Sequence, residues 1–287
     1  MQISEVSKQI LADLIKSQTG QDFPASRRWR IGTALSGLCR EHGIDDLDRL
    51  IAKLAIQRRS PLARTLVEAL LNNETYFFRD RAMFDLLARE VLPKLARTRA
   101  SARKLSIWSV GCSTGQEALS LAMLFAEQET RWTGWTIDIL GTDVSASMVG
   151  AARAGCYSQF QIQRGLAVGQ MVKWFDETPQ GWRARDKLRR LVRFETHNLL
   201  DPPPGPAAFD IVLCRNVLLY FDDATRRYAF DRLASALAPG GWLMLGAGET
   251  TMGHTGRIVP DRKLRGFYRH ASQGTHRGFD PGRTAAS

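Results

Sequence analysis

From residue 104 onward the chain repeats one unit: a short apolar run, a turn, then a helical segment. KLSIWSV, WTIDILGTD, LVRFETH, FDIVLC and GWLMLGA are the runs, rich in β-branched and aromatic residues. ALSLAMLFAEQ and DDATRRYAFDRLASALA are helical stretches between them. A parallel strand pair needs a long crossover, so this alternation predicts an α/β fold whose parallel sheet is covered on both faces.

Upstream the periods are helical only. Val6, Ile10 and Leu14, with Leu11 and Ile15, form a stripe that ends at Gly20. Ile31, Leu35 and Leu38 share a face, with Ser26 expected as the N-cap and Gly43 past the end. Leu47, Leu50, Ile51 and Leu54 form a third stripe, and a fourth helix follows Pro61. The reading is a small helical domain over residues 1–71, a linking motif and helix over 72–103, and the sheet domain over 104–270. A small insertion is expected near 171–185, and the tail 271–287, without apolar periodicity, is expected to be disordered.

A hydrophobic content of 44% with 24% charged residues suits a soluble globular protein. The first twenty residues mix Glu, Lys and Asp among their apolar positions, which predicts a cytoplasmic protein without membrane insertion. Cys39, Cys112, Cys156 and Cys214 lie far apart without metal-ligand spacing, so neither a disulfide nor a metal is expected. The net charge of +11 attracts a polyanion, and an acidic protein surface answers to it as well as a nucleic acid does.

KLSIWSV runs into Gly111-Cys112-Ser113-Thr114-Gly115-Gln116-Glu117, where glycine lets the backbone turn sharply beside a ligand. The second strand ends in Asp143, the position from which a carboxylate commonly accepts ribose hydroxyls. Neither G-x-G-x-x-G nor G-x-x-x-x-G-K-[ST] is present, which argues against a dinucleotide and against ATP. S-adenosylmethionine, an adenosine without phosphates, fits a G-x-x-x-G loop with a downstream acid. By itself the loop is equally compatible with a glycine turn that binds nothing.

NETYFFR at 73–79, IWSVGCSTGQE at 107–117, ILGTDVS at 139–145, HNLLDP at 197–202, CRNVLLYFD at 214–222 and PGGWLMLGAGE at 239–249 follow one another in that order. With these segments the chain resembles the chemotaxis receptor methyltransferases, over roughly residues 1 to 270. The resemblance implies a Rossmann-like class I methyltransferase sheet, doubly wound, behind a small all-helical N-terminal domain. It also implies transfer of methyl groups from S-adenosylmethionine to glutamates of a receptor's cytoplasmic helical bundle by a monomeric enzyme.

Carried over residue by residue, the resemblance implies that Asn73, Thr75 and Arg79 contact the cofactor. Glu117 would lie near the methionine ammonium, Asp143 at the ribose, Asn198 with Leu199 at the adenine, and Arg215 with Asn216 near the methionine. Tyr220 would sit beside the transferred methyl and, with Arg79, orient the acceptor carboxylate. Gln116 and Ala118-Leu119 depart from the family's GEEPYS at the helix start. Phe77 and Phe78 are expected to wall the apolar side of the pocket. Arg27, Arg28 and Arg30 are expected to dock the receptor's acidic face, because the family places the helical domain over the pocket.

Two other readings remain at the sequence level: an RNA methyltransferase and a cofactor-sensing scaffold without catalysis. Against the first, Arg215-Asn216-Val217-Leu218 stands where amine methyltransferases carry [ND]-P-P-[YF]. Some family members bind a receptor-tail peptide through a small β-subdomain. Here MVKWFDETPQGWRAR offers little more than a hairpin around Pro179-Gln180-Gly181, so no tail binding is expected.

Overall fold

The structure, a computed structural model, describes residues 3–41 and 43–271. Four helices come first: α1 (Glu5–Thr19), α2 (Arg30–Glu41), α3 (Leu47–Ile56) and α4 (Pro61–Leu70). Local chemistry sets their ends. The Ser4, Asp46 and Ser60 side chains accept the N–H groups of Ser7, Arg49 and Ala63, and Gly20 closes α1 at φ 78. Leu11, Leu14, Ile15, Ile31, Leu35, Ile51 and Leu66 fill the space between them, each burial worth about 1.5 to 3 kcal/mol.

Two details differ from the sequence reading. Val6 is exposed and Ser7 takes the inward position, because the stripe's true register begins at Leu11. Ser26 lies within a 3-10 turn (Ala25–Arg27), and α2 begins four residues later, so Ser26 does not cap it.

The connector 71–80 leads into α5 (Arg81–Leu86) and, after one π turn at Leu87–Val91, α6 (Leu92–Thr98). Then follow β1 (Lys104–Val110), α7 (Gln116–Glu127), α8 (Glu129–Trp132), β2 (Thr136–Asp143) and α9 (Ala146–Ala154). A small antiparallel unit comes next, holding β3 (Cys156–Tyr157), α10 (Gln159–Gln163), α11 (Val168–Trp174), β4 (Phe175–Thr178) and β5 (Gly181–Ala184). The chain returns to the main sheet through α12 (Asp186–Arg189), β6 (Val192–Thr196), β7 (Phe209–Cys214), α13 (Asp223–Ala236), β8 (Leu237–Leu245), β9 (Ile258–Pro260) and β10 (Phe267–His270).

The main sheet has the order β6-β2-β1-β7-β8-β10-β9, parallel from β6 to β8 and antiparallel at β10 and β9. Side chains alternate between its faces. Leu105 and Ile107 join the core under α5 to α7, while Trp108 and Val110 join the core under α13. The chain leaves β1 for β2 on one side and later fills β7 on the other. That reversal opens a crevice beyond the carboxyl ends of β1 and β7, where open α/β sheets bind ligands.

The small sheet, ordered β3-β5-β4, is larger than the expected hairpin. Its third strand is two residues at Cys156–Tyr157, upstream of the expected insertion and too short to show a period. All four cysteines are free, three of them buried. No helix among the described residues is long and apolar enough to cross a membrane. The expectation for the tail lies, beyond Ala271, outside the described residues.

Candidate active site

The crevice is an open cleft walled by the sheet's strand ends, the connector and the end of α1. Its floor is the β1 turn. Gly111 has φ 66, and a Cβ there would stand 2.5 Å from Val217 Cγ2, so only glycine fits. Gly115 has φ 92, and its Cβ would meet the Phe194 ring at 2.9 Å. Ser113 between them also takes a left-handed φ of 49, and its hydroxyl donates to the Asn73 carbonyl at 2.7 Å. The turn and the connector are thereby joined.

Asp143, at the end of β2, is 8% exposed and lines the cleft. One carboxylate oxygen accepts the Ser113 N–H at 2.8 Å and the other the Ser145 N–H at 2.9 Å. Each oxygen keeps a further lone pair for a hydroxyl donor. Burial pushes its pKa up, and the backbone bonds oppose that rise.

Glu68 of α4 holds the next turn from the other domain. It accepts the N–H groups of Ala146 and Ser147 at 3.1 Å and both the Ser145 and Ser147 hydroxyls at 2.7 Å. Those bonds hold its pKa below the usual carboxylate value against the effect of burial. Sequence reasoning missed Glu68, because its partners lie in a different domain.

Arg215, leaving β7, is buried and clamps two acids. It donates to Glu117 at 3.0 Å, and to Asp80 at 2.7 Å and the Arg79 carbonyl at 2.6 Å. Glu117 also accepts the Ser109 hydroxyl at 2.8 Å. Arg215 is thereby shared between Glu117, which lines the cleft, and Asp80, which is not among the lining residues. Asn216, at φ 60, has its side-chain carbonyl buried and without a partner among the described residues. An orphaned acceptor on a cleft wall is a place for a ligand donor.

The remaining expected residues line the same cleft. Asn198 accepts the Leu200 N–H and donates to the Gln18 carbonyl at 3.1 Å, so it ties α1 to the β6 loop while Leu199 beside it is buried. Thr75 and Arg79 come from the connector, and Arg79 donates to the Glu74 carbonyl at 3.1 Å. The Tyr220 hydroxyl accepts from the Asn72 side chain at 2.6 Å, and its ring lies 4.6 Å under the Arg27 guanidinium. His197 sits 3.0 Å from the Pro202 carbonyl, which makes Nε2 the donor and leaves buried Nδ1 as an acceptor.

One expectation needs correction. Phe77 and Phe78 do not wall the cleft. Both are buried in the main core, Phe77 edge-on to Tyr157 and Phe175, Phe78 edge-on to Phe84. Phe78, φ 49, and Asp80, φ 59, take left-handed backbone, and Tyr76 of the same segment lines the cleft. The three arginines differ in their surroundings. Arg28 turns onto its own domain, donating to Gln9 at 2.7 Å near Glu5, and Arg27 covers Tyr220.

The family model described as "CheR methyltransferase, SAM binding domain" matches residues 73–260. A chemotaxis protein methyltransferase of Vibrio parahaemolyticus is 34% identical over 259 residues, 89% of this chain and 93% of the relative. Chemotaxis protein methyltransferase 1 of Pseudomonas aeruginosa is 37% identical over 229 residues, 78% and 83% of the two chains. The chemotaxis protein methyltransferase of Borreliella burgdorferi is 30% identical over 257 residues, 87% and 90%.

Proposed function

The chain belongs to the CheR methyltransferase family, and from that premise we propose that it transfers methyl groups from S-adenosylmethionine to glutamate carboxylates on the cytoplasmic helices of a chemoreceptor. It does so as a cytoplasmic monomer. The observation that carries the reading is one cleft lined together by Asp143 at the end of β2, Glu117 with its partner Arg215, and Tyr220 with Arg79.

The lining fits this cofactor. S-adenosylmethionine supplies an electrophilic methyl group on a sulfonium, and carries an ammonium besides. Asp143 has lone pairs free for the ribose hydroxyls. Glu117, held by Arg215, is a carboxylate of the lining that suits the methionine ammonium, and the Asn216 carbonyl is available to an N–H donor there.

Glutamate as acceptor requires little proton chemistry. Its carboxyl, with a pKa of about 4.3, is already ionised at neutral pH. The residues have to align it and keep water out, since charge is lost on the way to neutral product and bulk water opposes that loss. Arg79 attracts the carboxylate, and the Tyr220 hydroxyl can turn from Asn72 to donate to it. Leu71, Tyr76, Val217 and Phe221 line the cleft around them and limit water.

The test is methyl transfer from radiolabelled S-adenosylmethionine to a purified receptor cytoplasmic fragment. Label released by mild base, as expected of a glutamate ester, supports the reading. Base-stable label, or label in RNA and none in receptor, rejects it.

A further inference from the structure

Glu249 follows β8, is 8% exposed, and is not among the residues that line the cleft. One of its oxygens accepts the N–H groups of Asn216 at 2.8 Å and Gly246 at 2.9 Å. The other accepts those of Val217 at 3.0 Å and Leu218 at 2.8 Å. Three of these four donors are consecutive residues of the loop that leaves β7. Converging backbone N–H groups form an anion-binding nest, and here the anion is the protein's own side chain. Burial raises the Glu249 pKa, and the four bonds oppose that rise.

The packing has no slack. A Cβ on Gly246 would lie 2.8 Å from the carboxylate and 3.1 Å from the Asn216 nitrogen. Asn216 takes a left-handed φ of 60, a conformation that a non-glycine residue keeps only when its surroundings hold it. Three features of the cleft issue from this loop: the Arg215 clamp on Glu117 and Asp80, the partnerless Asn216 carbonyl, and the turn that carries Tyr220.

We infer that Glu249 is a positioning residue, which holds the 215–218 loop so that Arg215 and Asn216 present the methionine-binding end of the cleft. The inference rests on the reading above, in which that end receives the methionine portion. Asp143, which the same reading places at the ribose, is held by the Ser113 and Ser145 N–H groups and makes no bond to Glu249.

An amide at 249 is neutral and swaps one acceptor for a donor facing two N–H groups, so E249Q releases part of the loop. The experiment compares S-adenosylhomocysteine with adenosine, which lacks the homocysteine, by calorimetry on E249Q, E249D and N216A, with thermal melting to confirm folding. E249Q should weaken S-adenosylhomocysteine about tenfold or more, leave adenosine within about twofold, and E249D should fall between E249Q and the parent. N216A should show the same selectivity. If N216A leaves the ratio of the two affinities unchanged, the assignment of the methionine end fails. If N216A changes that ratio while E249Q and E249D leave it unchanged, or lose both ligands in proportion, the positioning role of Glu249 is overturned. Should E249Q not fold, E249D read by the same ratio decides.

Discussion

Replacing Asp143 by alanine separates a binding role from a folding role. In the structure each carboxylate oxygen holds one backbone N–H, at 2.8 and 2.9 Å, and has one position left for a ribose hydroxyl. Two hydrogen bonds to a charged acceptor are worth about 1.5 to 3 kcal/mol each. Their loss removes about 3 to 6 kcal/mol of binding, roughly two to four decades of affinity. The substitution also strands the Ser113 and Ser145 N–H groups, at about 1 to 3 kcal/mol each where water does not reach them. Relief of the burial that raises the Asp143 pKa offsets part of that cost. The net expectation is a folded protein less stable by about 2 kcal/mol, with S-adenosylhomocysteine binding lost in calorimetry. Asp143→Asn, which keeps the volume, should lose binding to a similar degree. A folded Asp143→Ala variant that binds S-adenosylhomocysteine as tightly as the parent would refute the argument.

Tyr220→Phe should lower kcat more than cofactor affinity, because Tyr220 lines the cleft and its hydroxyl meets Asn72; an unchanged kcat would leave Tyr220 a packed ring. Replacing Arg27, Arg28 and Arg30 with glutamine should slow receptor methylation at low salt and shrink its salt dependence, with S-adenosylhomocysteine affinity unaffected. Within that set Arg28→Gln alone should act through stability, since Arg28 is tied to Gln9, and equal rates across a salt series would dismiss the docking role. The Lys16 ammonium, donating to Asp222, holds that carboxyl well below its usual range. A depressed folded pKa stabilises above the unfolded value of about 3.9 and is lost as pH falls through the folded value. Asp222→Asn should therefore lower the urea midpoint at pH 7 and close the gap on acidification; a constant gap would contradict the linkage. The three-stranded β3-β5-β4 sheet exceeds the lone hairpin on which the expectation of no tail binding rests; a receptor-tail pentapeptide titrated into the protein tests it, and micromolar affinity would overturn that expectation.

Local physics made much of this protein legible in its sequence. The five parallel strands announce themselves because each is a short apolar run closed by a turn. Gly111, Gly115 and Asp143 are readable because the requirements of a sharp turn and a strand end lie within a few residues of each. β9 and β10 were not legible, since runs of three and four residues are too short to show a period. Nor was the two-residue β3, which exists only because β5 is there to pair with it. The direction of the aromatic rings in NETYFFR was not legible either, because Phe77 packs on Tyr157 and Phe175, partners far along the chain.

The bonds that set the cleft's shape are long-range. Glu68 reaches from the helical domain to the start of α9, Arg215 closes on acids from two other elements, and Glu249 returns from β8 to hold the loop after β7. Composition gives these residues no mark beyond their charge, because a carboxylate on the surface and one inside a nest of N–H groups are spelled alike. Chain folding chooses between those fates, by bringing orphan backbone donors to where the charge would otherwise be buried unpaired.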